Sequence, residues 1–243
     1  MNTDSFINII CIIIVIIVSY QLNNVLGKRT GPSRPQKDPF ASGADLQNEK
    51  SYQEETVLAL PSNVDSDRNI AQEIEAVAPK ESVLYEKLYA ISELDKQFRI
   101  KDFMQGAHAA YEMILSAFAK GEYSVLEPLV DKEIFEDFSD AIRAREEREE
   151  QVQFTFVAIN KSKIIDAQLL DAGVNGDKEA LISVCFNSEV ISSVYDKNGT
   201  LIEGDDKKIL YIQDRWTFAR VVNSPNPNWR LVATQGNDDV VLS

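Results

Sequence analysis

The chain has 243 residues, of which 44% are hydrophobic, and a formal net charge of −14. That length suits one ordinary domain with additional segments, and so acidic a balance argues against nucleic acid as a partner. Two cysteines far apart in the chain, Cys11 and Cys185, and one histidine, His108, provide neither a disulfide framework nor zinc-ligand spacing, so no metal and no cofactor is expected.

The first predicted element lies between Phe6 and Leu22, FINIICIIIVIIVSYQL, which contains no charged residue. As a helix these ~17 residues cover ~26 Å, slightly less than a hydrocarbon core of ~30 Å. Tyr20 suits the interface, and Val25 and Leu26 lengthen the run, so a transmembrane helix over 5–26 is expected. A cleaved signal peptide wants a basic start, whereas the only charged side chain before this run is Asp4. A buried core helix would not be apolar on every face and then meet Lys28 and Arg29. Lys28, Arg29, Arg34 and Lys37 all follow the run, which places the N-terminus outside and the remainder in the cytoplasm. The same four cations are the candidate membrane-surface residues, drawn to an anionic leaflet.

Residues 27–80 read as a basic stub and an acidic, disordered linker. From Asp38 to Lys80 nine acids face only Lys50, Arg68 and Lys80, and apolar periodicity is weak. Such a composition buries too little surface to offset the ordering entropy. The short run Thr56–Leu60 reads as a chance apolar cluster or as a docking peptide.

Periodicity begins near Glu81, and 81–243 is expected to form an α+β domain. Val83, Leu84, Leu88, Ile91 and Leu94 recur at helical spacing in a first helix over 81–98, which either packs on its own domain or swings out as an arm. A second helix is predicted from Asp102, as N-cap, to Gly121, with Phe103, Ala107, Ala110, Tyr111, Ile114 and Phe118 as its stripe. A third runs from about Asp131 to Glu150, with Ile134, Phe135, Phe138 and Ile142 inward. Then come β-branched and aromatic runs, VQFTFVAI, IIDAQLL, ALISVCFNSEVISSVY, KKILYIQDRWTFARVV and NWRLVAT, separated by turn signals such as VNGD, DKNG and SPNPN. Helices followed by a meander predict an α+β layer fold, with the long runs forming a curved antiparallel sheet around the helices. Leu210, Ile212, Trp216 and Phe218 share one parity with Asp214 and Arg220. Tyr111, Phe118, Phe138, Phe156, Trp216 and Phe218 are the candidate pocket-lining residues, in a cavity or in a filled core.

Taken together, KRTGPSRPQKDPF after the apolar run, FMQGAHAAYEMILSAFAKGEYSVLEPLV, DRWTFAR and NPNWRLVAT resemble the bacterial TimA adaptor family. That family shares its C-terminal domain with subunit 44 of the mitochondrial inner-membrane protein-import translocase. The resemblance spans the first ~40 residues and everything from about Glu81, sparing the linker. It implies a fold similar to the nuclear transport factor 2 superfamily, with helices packed in a bent antiparallel sheet around an apolar pocket, and a location at a bacterial inner membrane. The mitochondrial relative is a scaffold that docks on the translocase and on anionic lipid and recruits a heat-shock chaperone. This chain departs from it in carrying its own span and an acidic tether, which weakens transfer of the chaperone role.

Chemistry is sparsely indicated. His108 is the only histidine, and Asp102, Glu112 and Asp214 are the carboxylates it could work with as a general acid or base. A histidine at the edge of an apolar stripe is more often structural. No phosphate loop or nucleophile elbow is present. Arg143, Arg145, Arg148, Lys161 and Lys163 read either as locally paired or as a lipid patch. The expected function is therefore a non-enzymatic, membrane-tethered adaptor that binds protein partners, membrane proteins or a chaperone among them, or anionic lipid. The rivals are a pocket enzyme using His108 and Asp214, and a lipid-binding module.

Overall fold

The computed structural model describes residues 70–172 and 176–236. A helical stretch over 70–75 leads into α1 (Val83–Leu94), α2 (Ile100–Lys120), the short α3 (Tyr123–Leu126) and α4 (Lys132–Glu147). Then β1 (Gln151–Asp171), β2 (Lys178–Tyr195), β3 (Leu201–Val221) and β4 (Arg230–Gly236) form one antiparallel meander in the order β1-β2-β3-β4. The α+β arrangement is as the sequence implies. The apolar run over 5–26, the cations Lys28, Arg29, Arg34 and Lys37, and most of the linker lie outside the described residues. Among the described residues no helix is long and apolar enough to cross a membrane.

Helix ends follow local chemistry. Ser82 caps α1 by accepting from the Tyr85 amide, and Asp131 caps α4 by accepting from that of Ile134. Gly121 closes α2 in the left-handed region at φ 71°, the Glu122 amide reaching back to the Ala117 carbonyl. The predicted start of α2 needs correction. Asp102 lies inside the first turn, and the helix begins at Ile100 behind Arg99, which offers no side-chain cap. The missing acceptor comes from a distance: Glu73 Oε2 accepts from the Ile100 amide at 3.2 Å.

That bond exposes a second difference. Residues 70–80, expected in the linker, are packed: Ile70, Ile74 and Ala78 are buried in the core. A stripe as short as Ile70, Ile74, Ala78 is too brief to stand out beside the acids around it. α1 is also shorter than 81–98 and buries a narrower stripe. Leu88 and Ile91 face the core, whereas Val83 and Leu94 are 66% and 44% exposed. α1 packs on its own domain against β1, with Lys87 Nζ bonded to Asp166 Oδ1 at 2.7 Å. α4 stops at Glu147 rather than Glu150, because Glu149 turns left-handed (φ 54°) and the Glu150 amide returns to the Arg145 carbonyl.

The five predicted strand runs become four strands. VQFTFVAI and IIDAQLL are one strand, β1, and between them Lys161, Ser162 and Lys163 stay paired with β2 while Asn160 bulges out of the ladder. Register shifts between Phe156 and Ala158, Ile159 and Lys161, and Ile164 and Asp166 take up the irregularity. Each shift bends and twists the strand, which is how so long a ribbon follows the helices. On β3 the expected parity holds: Asp214, Trp216 and Phe218 are buried, and Leu210 and Ile212 are half-buried. The β4 edge is closed from the helical side, where a parallel bridge joins Val130 to Leu231 and Leu231 exchanges backbone bonds with Leu129 and Asp131.

β2 and β3 slip register between Val190 and Ser192: Val190 pairs with Leu210, but Ser192 pairs with Asp205. Gly204 makes the slip possible. It sits at φ 75°, and a Cβ built there would lie 2.1 Å from the Ser192 carbonyl oxygen. Gly204→Ala should lower stability by at least ~2 kcal/mol, or a melting temperature drop of ~5 °C or more, because it adds a clash to an unfavourable φ. Gly199→Asn should cost much less, since Gly199 has φ 77° but nothing within 4 Å of its added Cβ. Thermal unfolding of the two full-length variants separates them.

Candidate functional site

α2 turns Tyr111 toward the inner face of the sheet, where period-2 alternation delivers Phe186 and Ser188 from β2 and Asp214 and Trp216 from β3. Phe186 and Asp214 are direct partners across the ladder. The Tyr111 ring stacks on Phe186 (4.3 Å between centroids, 18°) and lies 4.5 Å from Trp216 and 6.1 Å from Phe156. Its hydroxyl donates to Asp214 Oδ2 at 2.6 Å. Ser188 Oγ lies 2.9 Å from the same oxygen. Tyr111 has one hydroxyl proton and Asp214 takes it, so Ser188 is the donor to the tyrosine oxygen.

Burial governs the electrostatics of this network. Asp214 is 1% exposed, and desolvation raises its pKa to about 6, opposed by the Tyr111 hydroxyl, which favours the carboxylate. Tyr111 is pushed well above its ordinary value, first by burial and then by the neighbouring carboxylate. Trp216 Nε1 is buried with no hydrogen-bond partner among the described residues.

Two other aromatic groups flank the network. Phe98, Phe103 and Trp229 pack together beside Phe218, and the Arg220 guanidinium lies 5.0 Å from the Trp229 ring centroid. Arg220 pairs there with Asp95, which also accepts from the Gln97 amide. Both charges are nearly removed from water, their side chains 13% and 6% exposed. The pair ties the end of α1 to β3. On the other side Phe118 and Phe138 stand 4.9 Å apart between α2 and α4. Arg145 lies over Phe118 and donates to the Phe118 and Ala119 carbonyls, a cation at the negative end of α2.

The six candidate pocket residues therefore divide. Tyr111, Phe156, Trp216 and Phe218 lie along the inner face of the sheet, and Phe118 and Phe138 form a separate pair. Tyr111, Trp216 and Phe218 are 0%, 2% and 1% exposed, packed by rings, whereas Phe118 and Phe156 keep partial exposure at the margin. His108 and Asp214 are not bonded to each other: His108 Nε2 meets Ser162 Oγ at 2.6 Å, and Asp214 is held by Tyr111. Burial lowers the imidazole pKa below its ordinary value by disfavouring the charged form. Of the expected cationic patch, Arg143 pairs with Asp140 and Arg148 grips both oxygens of Glu150.

Sequence reasoning missed Phe186, Ser188, the Asp95–Arg220 pair and Glu203. The alternation through ALISVCFNSEV would have given Phe186 and Ser188. No local pattern marks Glu203, whose pKa rises to about 7 through burial and the nearby Glu150 carboxylate.

Two tests follow from this geometry. The folded-state pKa of Asp214, about 6, exceeds that of an unfolded aspartate, ~3.9. Its protonated form therefore contributes stability fully below about pH 4, and the contribution is lost as pH rises through 6. Asp214→Asn keeps an acceptor for Tyr111 but cannot ionise. Relative to the native chain it should gain on the order of 2 kcal/mol between roughly pH 4 and pH 7.5, read from melting curves across that range. Arg220→Ala strands the Asp95 carboxylate and should cost about 3 kcal/mol, and adding Asp95→Asn should restore part of it.

A family model, Tim44-like domain, matches residues 85–236, more than half of the chain. Among solved structures, the intermembrane space region of the chloroplast protein ARC6 aligns at 13% identity and a TM-score of 0.32, over 53% of this chain and 95% of that one. No curated protein matches the chain. With its helices ahead of a four-stranded antiparallel meander and most of its length matched, the chain belongs to the Tim44-like domain family.

Proposed function

We propose that this chain is a non-enzymatic, membrane-tethered adaptor of the TimA type, whose α+β domain binds protein partners at the cytoplasmic face of a bacterial inner membrane. The observation that carries it is a Tim44-like domain standing behind an uncharged, isoleucine-rich run with all its flanking cations on one side. The run over 5–26 anchors the chain, Lys28, Arg29, Arg34 and Lys37 rest at the leaflet, and the acidic stretch beyond them gives reach. The chemistry of the inner face supports binding over turnover. Its buried carboxylate Asp214 is engaged by a tyrosine, and its histidine is bonded to a serine. Phe118 and Phe156, partly exposed at the core margin, are where an apolar segment of a partner would enter.

The test is fractionation joined to capture. The chain should sediment with membranes and resist carbonate extraction, and a reporter fused after Ser243 should be active only on the cytoplasmic side. Crosslinking in intact cells, then purification in detergent, should recover a discrete set of membrane proteins or chaperones, unchanged by His108→Ala. Intact protein in the soluble lysate, or small-molecule turnover abolished by His108→Ala, would overturn the proposal. Recovery of anionic lipid in place of protein would favour the lipid-binding reading.

A further inference from the structure

The sheet has a second face, turned away from the helices, on which three exposed cations gather, with Glu189 of β2 at their margin accepting from Asn160 Nδ2. Lys163 of β1 and Arg215 of β3 are the direct cross-strand partners of Cys185 on β2, one on either side. Lys161 stands two residues along, opposite Asn187, to which Gln213 Nε2 donates at 2.9 Å. Strand parity places all of these on the outer face, because Ser162, Phe186 and Asp214, which alternate with them, face inward to His108 and Tyr111. Lys161, Lys163 and Arg215 are exposed, yet Cys185 between the latter two is only 7% exposed on the solvent side of a sheet. Aliphatic stems of a flanking lysine and arginine cover a small side chain in this way while holding their charges in water.

None of the three cations has a carboxylate partner among the described residues, in a stretch, 81–243, where 29 acidic side chains outnumber 18 basic ones. Lys87, Arg143, Arg148, Lys178 and Arg220, by contrast, are each paired with a carboxylate. Unpaired positive charge on an acidic protein selects a narrow acidic ligand. A bilayer is a plane and would also press against the domain's acids. An extended peptide can lie over the cations alone, crossing strands ~4.8 Å apart.

The chain itself contains such a peptide. Residues 38–67 carry Asp38, Asp45, Glu49, Glu54, Glu55, Asp65 and Asp67 against the single base Lys50. Glu55 lies 15 residues before Ile70, where the packed unit begins, a contour of up to ~50 Å. A domain of this size has a radius of gyration of ~15 Å, so that stretch reaches any part of its surface. Being tethered, it acts at an effective concentration near the millimolar range, enough for a contact made of a few exposed ion pairs. We propose that the outer face of the sheet, through Lys161, Lys163 and Arg215, is a docking surface for the chain's own acidic segment, 38–67.

Zero-length carbodiimide crosslinking of the full-length chain in detergent micelles, read by mass spectrometry, tests this. Lys161 and Lys163 should link to carboxylates of 38–67 more often than the exposed Lys120, Lys197 and Lys208 do. In a mixture of light and isotopically heavy chains, the linked peptides should carry a single label. Arg215→Glu, at an exposed site where folding is not at stake, should reduce these links about fivefold, and so should raising salt to roughly 0.5 M. Equal linkage to all the lysines would overturn the proposal. So would mixed-label products, which mean a second copy, or protection of Lys161 and Lys163 that appears only with phosphatidylglycerol vesicles, which means a membrane. Because linkage is read within one chain, its failure leaves the adaptor reading untouched.

Discussion

At the centre of the domain a buried tyrosine donates its hydroxyl proton in a hydrogen bond to a buried aspartate. Tyr111 belongs to the longest helix, Asp214 to the third strand and Ser188, the network's third member, to the second, so a single chain of hydrogen bonds joins the helical layer to the two central strands. A carboxylate at 1% exposure is costly to bury, and the tyrosine offsets part of that cost. The ring that carries the hydroxyl also stacks on Phe186 and meets Trp216, so the polar bond and the aromatic packing fix each other's position. A helix displaced by one turn would separate the phenol from its acceptor and leave an unpaired anion among aromatic rings. Such an arrangement penalises misregistration much more than apolar contact would.

Charge is distributed in the same deliberate way. Arg145 serves the end of α2, and Arg220 is drawn into an aromatic niche with Asp95, fastening the first full helix to the sheet. Three further cations, Lys161, Lys163 and Arg215, gather on the opposite side of the sheet around Cys185. The domain thus has an apolar, internally neutralised side and a side that presents a small cluster of exposed cations, although its total charge is strongly negative.

Much of this was legible from residue order alone. The α2 stripe, the parity of β3 and the start of α4 near Asp131 follow from periodicity and short-range chemistry, which act over a few residues and leave a pattern. What escaped acts over long distances. The break expected at Asn160–Lys163 is polar enough to look like a turn, but pairing with β2 carries it through as bulges. The α2 start was misplaced because its acceptor, Glu73, lies 27 residues upstream. Asp214 and His108 could be named as ionisable residues near an apolar face, but which partner each would find is decided by packing. Tyr111 and Ser162 are not marked for those roles by any neighbour in sequence.

The helical stretch over 70–75 bears on where this domain begins as a folding unit. The family match starts at residue 85, yet Ile70, Ile74 and Ala78 are core residues, and Glu73 supplies the acceptor that opens α2. A fragment cut at the family boundary would keep every strand, the helices α2 to α4 and all but the capped first residues of α1. It would nevertheless uncover the apolar surface those three side chains occupy and leave the amide of Ile100 to water. Autonomy in this domain therefore belongs to a segment longer than the one its relatives delimit, and the portion that looks most like a tether is partly a buttress.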